Sequence, residues 1–269
     1  MNAFAETISG GIGYMKTEIK ILKKLPKMKN PILIEGLPGV GNVGRVCAGY
    51  LISELKAEKF AELVSPHFLP LVVLDSNSVT HVLKNEFYYC KSKKQSLIIL
   101  TGDSQSISGE GHYEIAHTAL EFAKSLGVKQ VITIGGFVTE QPSKVVGAVS
   151  EKSLLNKYKK FNITFGKSHP VGTIVGASGL FCGMAKDYKM DGICLMGETI
   201  GFPLITDPKA ADRVLQTLKS MLKLNVDLKK LEKAVKEMNE QIKKTEHIHR
   251  KMLEDTSKPE SKEQMKYIG

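Results

Sequence analysis

Ile32-Leu33-Ile34-Glu35-Gly36-Leu37-Pro38-Gly39-Val40-Gly41-Asn42-Val43-Gly44 is the stretch on which the fold turns. The short apolar run ends at a glycine, as a buried strand does, and a helical period follows across Val43–Leu55. A strand that passes through a glycine-rich turn into a helix is the opening unit of an α/β sheet. Gly39, Gly41 and Gly44 match GxGxxG, and Gly36, Gly39, Gly41, Asn42 and Gly44 together form a candidate ligand loop. The dinucleotide version lays a pyrophosphate on the amides at the helix start and wants an acidic residue about 20 positions on. Glu58 and Glu62 fall near that distance, but neither follows an obvious strand. Read as a P-loop, Gly36 to Gly41 is correctly spaced, yet Asn42 stands where the lysine belongs and Val43 where the hydroxyl belongs. A third reading needs no ligand: the glycines permit a tight strand-to-helix turn and close packing.

Outward from this loop the same texture repeats. Apolar runs at Val72–Leu74, Leu97–Leu100, Val131–Ile134 and Ile193–Met196 read as strands. Helical periods lie at Tyr113–Leu126 and Ala210–Leu224, the latter opened by Asp207 as cap and Pro208 at the first position. Strands alternating with helices predict an α/β sheet covered on both faces. Gly135-Gly136 ends one strand and lets something approach its backbone. Residues 15–29 interleave six Lys with Ile19, Ile21, Leu22 and Leu25, which reads as a Lys-rich edge strand or a basic contact patch. Residues 1–14 read as a loose arm, and the α/β domain spans residues 15–225.

Composition narrows the function classes. The chain has 269 residues, 42% hydrophobic and 25% charged, enough for a sizeable core. No run approaches the ~18 apolar residues of a membrane helix, and residues 1–14 carry no secretory pattern. The four cysteines form no CxxC pair, so a reducing, cytoplasmic setting is expected. The net charge of +10 permits nucleic-acid contact, but no nucleic-acid module is present; Phe87–Lys94 reads as a strand entering a Lys-rich turn. Residues 226–269 hold 11 Lys/Arg and 9 Asp/Glu, so the excess positive charge lies mainly in residues 1–225 and suits an acidic protein partner.

Other groups carry weaker signals. Asp103, Glu110, His112, Glu114 and His117 cluster after a strand end, but the histidines are five apart, unlike HExxH, and read as capping and a polar helix face. Ser178 directly precedes Gly179 and so misses the GxSxG spacing. Cys182 and Cys194 sit among apolar residues, as inert core thiols do. Glu198 follows a strand and serves either as an acid or base or as a loop cap. His247 and His249 diverge on a helix. The sequence calls for no metal, no cofactor and no catalytic residue.

At Val226 the texture changes. Leu228, Leu231, Val235, Met238, Ile242, Thr245, His249 and Met252 alternate in steps of three and four, the pattern of a heptad helix over 226–254. Residues 255–269 read as a flexible tail.

Taken in order, the glycine loop, Gly102–Gln105, Gly111–Ala116, Gly135-Gly136, Gly172–Leu180, Asp191–Thr199 and Asp207–Ala211 resemble one family. It is the proteasome assembly chaperone family, in its archaeal members of the type named for the second eukaryotic assembly chaperone, and the resemblance covers roughly residues 31–245. It implies a nucleoside-phosphorylase-like α/β fold with a central mixed sheet. It also implies a non-enzymatic role: homo-oligomers that hold proteasome α subunits while the 20S core assembles. Some members insert C-terminal tails ending hydrophobic–Tyr–any residue into α-ring pockets. Here Met265, Tyr267, Ile268 and Gly269 are the corresponding partner-binding candidates, with Tyr third from the end. The alternative from another class is a nucleotide-linked enzyme, a phosphorylase or an ATP-dependent ligase, using the Gly36–Gly44 loop.

Overall fold

The computed structural model describes residues 16–25, 27–74, 77–92, 95–166, 172–201 and 206–236. The strands are β1 Glu18–Ile21, β2 Ile32–Glu35, β3 Glu58–Val64, β4 Val72–Leu74, β5 Thr80–Val82, β6 Asn85–Lys91, β7 Ser96–Gly102, β8 Gln130–Val138, β9 Val145–Val149 and β10 Asp191–Thr199. The helices are α1 Val43–Glu54, α2 Gly109–Ser125, α3 Leu155–Tyr158, α4 Ala177–Met184 and α5 Pro208–Leu222. Eight strands form one sheet in the order β1-β3-β6-β7-β2-β8-β10-β9. Four consecutive strands of this order, β7, β2, β8 and β10, are parallel. Antiparallel strands flank them on both sides, so the sheet is mixed.

The sequence pattern explains the layers. Every residue of β2 is buried, as a strand covered on both faces requires. Its side chains alternate: Ile32 and Ile34 join the core under α1 and α5, with Val46, Leu51, Val214 and Leu218. Leu33 joins the core under α2 and α4, with Ile115, Leu120 and Phe181. Both long helices after β7 and β10 are capped. Ser108 Oγ accepts from the Gly111 amide at 3.0 Å and Asp207 Oδ1 from the Ala210 amide at 2.9 Å.

The expected strands from residues 32, 97, 131 and 193 take adjacent places at the centre. Val72–Leu74 does not: it pairs with β5 in a separate hairpin, outside the main sheet, and Leu74 is 59% exposed. Glu58 and Glu62 lie on a strand after all, since β3 is an antiparallel member of the sheet. The residues 15–29 segment supplies the edge strand β1.

The start of the heptad pattern is spent on the domain itself. Leu224, Val226, Leu231 and Val235 are buried in the α1/α5 core, and residues 231–236 are helical. The Tyr50 hydroxyl donates to the Asp227 carbonyl, pinning this segment to α1. The arm at 1–14, the seam positions from Met238 to Met252 and the tail at 255–269 lie outside the described residues.

Candidate functional site

In an open α/β sheet, the loops beyond the carboxyl ends of the parallel strands form the usual ligand side. Here the connection after β2 is the glycine loop. A Cβ on Gly36 would lie 2.3 Å from the Gly44 carbonyl oxygen, and one on Gly44 would lie 2.5 Å from that of Ile134. These two glycines therefore let α1 sit directly on β2 and β8. Gly41 has φ +61° and Asn42 φ +49°, a left-handed pair that turns the chain into α1. Val43 and Gly44, at the start of α1, are buried. The Asp207 amide donates to the Gly41 carbonyl at 2.9 Å. Protein atoms thus pack against the turn on which a pyrophosphate would lie. Gly39 lines a neighbouring cleft.

That cleft has a volume of about 310 Å³ and lies between the ends of β2, β8 and β10 and the start of α4. Glu35, Leu37, Val40, Phe137, Ile174 and Met196 give it most of its wall. Gln105 holds two sides together: its Nε2 donates to the Pro38 carbonyl at 2.5 Å, and its Oε1 accepts from the Ala177 amide at 2.9 Å. Glu35 is 1% exposed. Its Oε1 accepts from the Leu37 amide at 3.0 Å, while its Oε2 makes no hydrogen bond among the described residues. Burial pushes the carboxyl up to about 8, against the opposing pull of the Leu37 and Ile134 amides. Near neutral pH this side chain is a carboxylic acid.

The other candidates are dispersed rather than assembled. Asp103 accepts from the Lys84 amide at 3.1 Å, and burial raises its carboxyl. Glu110 lies in the first turn of α2, and burial lowers the pKa of His112. Glu114 accepts from the Thr17 amide at 2.6 Å and meets His67 Nε2 at 2.9 Å; hydrogen bonding from the Thr17 side chain above all, and then from its amide and from His67, holds the Glu114 carboxyl low. His67 Nδ1 in turn lies 3.3 Å from Ser108 Oγ. This chain ties β1 and the loop after β3 to α2. His117 bonds the Tyr188 hydroxyl. Glu198 Oε2 accepts from the Ser143 and Lys144 amides at 2.8 and 2.9 Å, so it caps a loop. Ser178 opens α4, and its carbonyl accepts from Thr133 Oγ1. The Cys182 and Cys194 thiols are pushed up to about 12, above all by burial. No group of three or more His, Cys, Asp and Glu among the described residues could hold a metal ion. No helix among them is long and apolar enough to cross a membrane. His247, His249, Met265, Tyr267, Ile268 and Gly269 fall outside the described residues.

Sequence reasoning passed over Glu35, Gln105 and His67. The signal for Glu35 was present: it is a lone acid ending an otherwise apolar, buried strand.

Fold and site define an α/β protein with a mixed sheet, helices on both faces and a ligand-sized cleft at the carboxyl ends of the parallel strands. Residues 33–246 match the PAC2 family, and the chain belongs to it. It is 36% identical to an uncharacterised protein of Methanocaldococcus jannaschii, over 92% of this chain and 96% of the other. Among solved structures it is similar to PbaB of Pyrococcus furiosus, an archaeal proteasome activator. That match has a TM-score of 0.76 and 40% identity, and covers 86% of this chain and 99% of PbaB. It is also similar to PbaA of the same organism, an archaeal homolog of proteasome-assembly chaperone. There the TM-score is 0.67 at 26% identity, with 86% of this chain and 100% of PbaA covered.

Proposed function

We propose that this protein is a non-enzymatic chaperone or adaptor of the 20S proteasome, binding α subunits or the assembled core as a cytoplasmic homo-oligomer. The observation that carries this reading is the 40% identity with PbaB along nearly all of that chain. The finer parts of the reading come from the family resemblance, together with the residue pattern of the C-terminal segment. The architecture is nucleoside-phosphorylase-like, as the family resemblance implies, and the part of the heptad pattern not packed into the domain, from Met238 to Met252, joins or projects from the protomers. The tail over 255–269 presents Met265, Tyr267, Ile268 and Gly269 to the α ring, where an amphipathic aromatic anchor suits a pocket. Several tails on one oligomer add avidity to a weak contact. The nucleotide-linked enzyme alternative finds no Lys or Arg among the described residues that line the cleft to meet a phosphate.

The test is co-elution of the full chain with isolated α subunits and, separately, with assembled 20S core. Binding is expected, and deletion of residues 265–269 is expected to weaken it. Unchanged binding after that deletion would move the contact to the globular domain. No co-elution with either form would end the proteasome reading. Stimulated peptide hydrolysis by the core would separate an activator from an assembly factor.

A further inference from the structure

We propose that the cleft between the ends of β2, β8 and β10 binds a small, neutral, planar molecule that offers a hydrogen-bond acceptor to Glu35, in chemical class a lactam or carboxamide heterocycle. The inference does not depend on the proteasome reading. It starts from an unfinished hydrogen bond. Glu35 lines the cleft, is 1% exposed, and leaves Oε2 without a partner among the described residues. Buried polar atoms are nearly always satisfied, and an orphan in a cleft wall marks a place where a ligand completes the set.

The chemistry of that oxygen selects the ligand. Oε1 receives the Leu37 N–H, so it is the carbonyl side of the acid. The proton sits on Oε2, because burial keeps the group neutral near pH 7. Oε2 is therefore a donor, and the ligand must bring an acceptor. Among the described residues the wall offers an anion no Lys or Arg and a cation no fixed negative charge. Gln105, also in the wall, spends one N–H on Pro38 and one lone pair on the Ala177 amide, which fixes its orientation and leaves its second N–H able to meet an acceptor as well.

Shape selects further. Gly135 and Gly136 line the cleft with bare backbone, while Val40, Phe137, Ile174 and Met196 supply apolar contact. A flat ring lies best against such a surface. The volume of about 310 Å³ stands at the low end of ligand pockets, ~300–1,000 Å³, and suits one or two fused rings. The location, at the carboxyl ends of parallel strands, is the ligand side of open α/β sheets.

The test titrates the full-length protein, at about pH 6.5 and so below the raised Glu35 value, with 2-pyridone and with nicotinamide. Benzoate and benzamidine are the anionic and cationic counterparts of similar size. Saturation-transfer NMR reads affinity. The ¹³C spectrum of protein labelled at its glutamate carboxyls reads Glu35 directly, assigned by the resonance missing in E35Q or E35M. At least one neutral probe should bind saturably and move the Glu35 resonance. E35M should weaken it roughly tenfold, the loss of one hydrogen bond from a buried group. If E35M fails to fold, the movement of the Glu35 resonance in the native protein decides alone. The proposal is overturned by the absence of saturable binding of both neutral probes up to about 10 mM, a weak limit for fragments. It is equally overturned by tighter binding of benzoate or benzamidine, or by binding that leaves the Glu35 resonance in place.

Discussion

Replacing Glu35 with Gln should change how stability depends on pH far more than it changes stability at pH 5. The side chain is buried, and its carboxyl is raised from an ordinary 4.5 to about 8. In the folded protein it stays protonated up to that point, whereas in the unfolded chain it ionises above 4.5. Between those values the unfolded chain binds fewer protons, so rising pH favours unfolding. The stabilisation from the neutral acid is complete below 4.5 and is lost as pH climbs toward 8. The window spans roughly 3.5 pH units, and at 1.36 kcal/mol each it amounts to about 5 kcal/mol in full. From about pH 5 to about pH 7.5 it comes to roughly 3 kcal/mol. Gln is nearly isosteric, never ionises, and keeps an oxygen for the Leu37 amide. The stability gap between Glu35→Gln and the parent should therefore open in favour of the variant by roughly 1.4 kcal/mol per pH unit. Urea unfolding of both proteins at about pH 5, 6, 7 and 8 measures this, and titrations elsewhere cancel in the difference. A gap that stays constant across that range would refute the reasoning, because it would mean that Glu35 is ionised in the folded state.

Gly44→Ala should cost about 3 kcal/mol or abolish folding, since its Cβ would sit 2.5 Å from the Ile134 carbonyl oxygen. Gly183→Ala, in α4 with no atom of the described residues outside its own helix backbone within 4 Å of the new Cβ, should instead gain about 0.5–1 kcal/mol; paired thermal melts check both. Asp207→Ala should cost about 2 kcal/mol, because one carboxylate caps α5 through Ala210 and accepts from Thr199 Oγ1 at 2.6 Å. A thiol reagent at mildly alkaline pH should leave Cys182 and Cys194 unmodified in the folded protein and reach both after denaturation, as peptide mass mapping would report.

The central sheet was legible because β2, β7, β8 and β10 are apolar runs bounded by glycines or polar turns, and nothing interrupts their pattern. β3 was not. Its register shifts between Lys59 and Ala61, so Phe60, Ala61, Leu63 and Val64 break the alternation a half-buried strand should show. Its charges also look like a surface segment, whereas Lys59 bridges Glu62 and Glu86 across the sheet face. β9 escaped because Val145–Val149 is a five-residue edge strand with Gly147 at its middle. Val72–Leu74 misled in the other direction, since an apolar triplet is equally compatible with an exposed hairpin. Of the cleft, the glycine loop was visible as a motif, but its role depends on what α1 and β8 place beside it. Glu35 and Gln105 come together only through contacts between residues far apart in sequence, which no local pattern encodes.

The burial of Leu231 and Val235 against α1 and α5 gives the C-terminal segment a fixed root. The residues that follow all depart from that root, and chain length sets an upper bound on how far from it they can act. Tyr267 is 31 residues past Lys236. Fully extended, that is at most about 110 Å of reach. Each copy of the protein would therefore cast its terminal residues from the same spot on its α1/α5 face. The spacing between roots would then set which pair of sites on a large partner two copies can occupy at once. Loosening the root, for instance with Leu231→Ser, would raise that upper bound without changing any residue beyond Lys236.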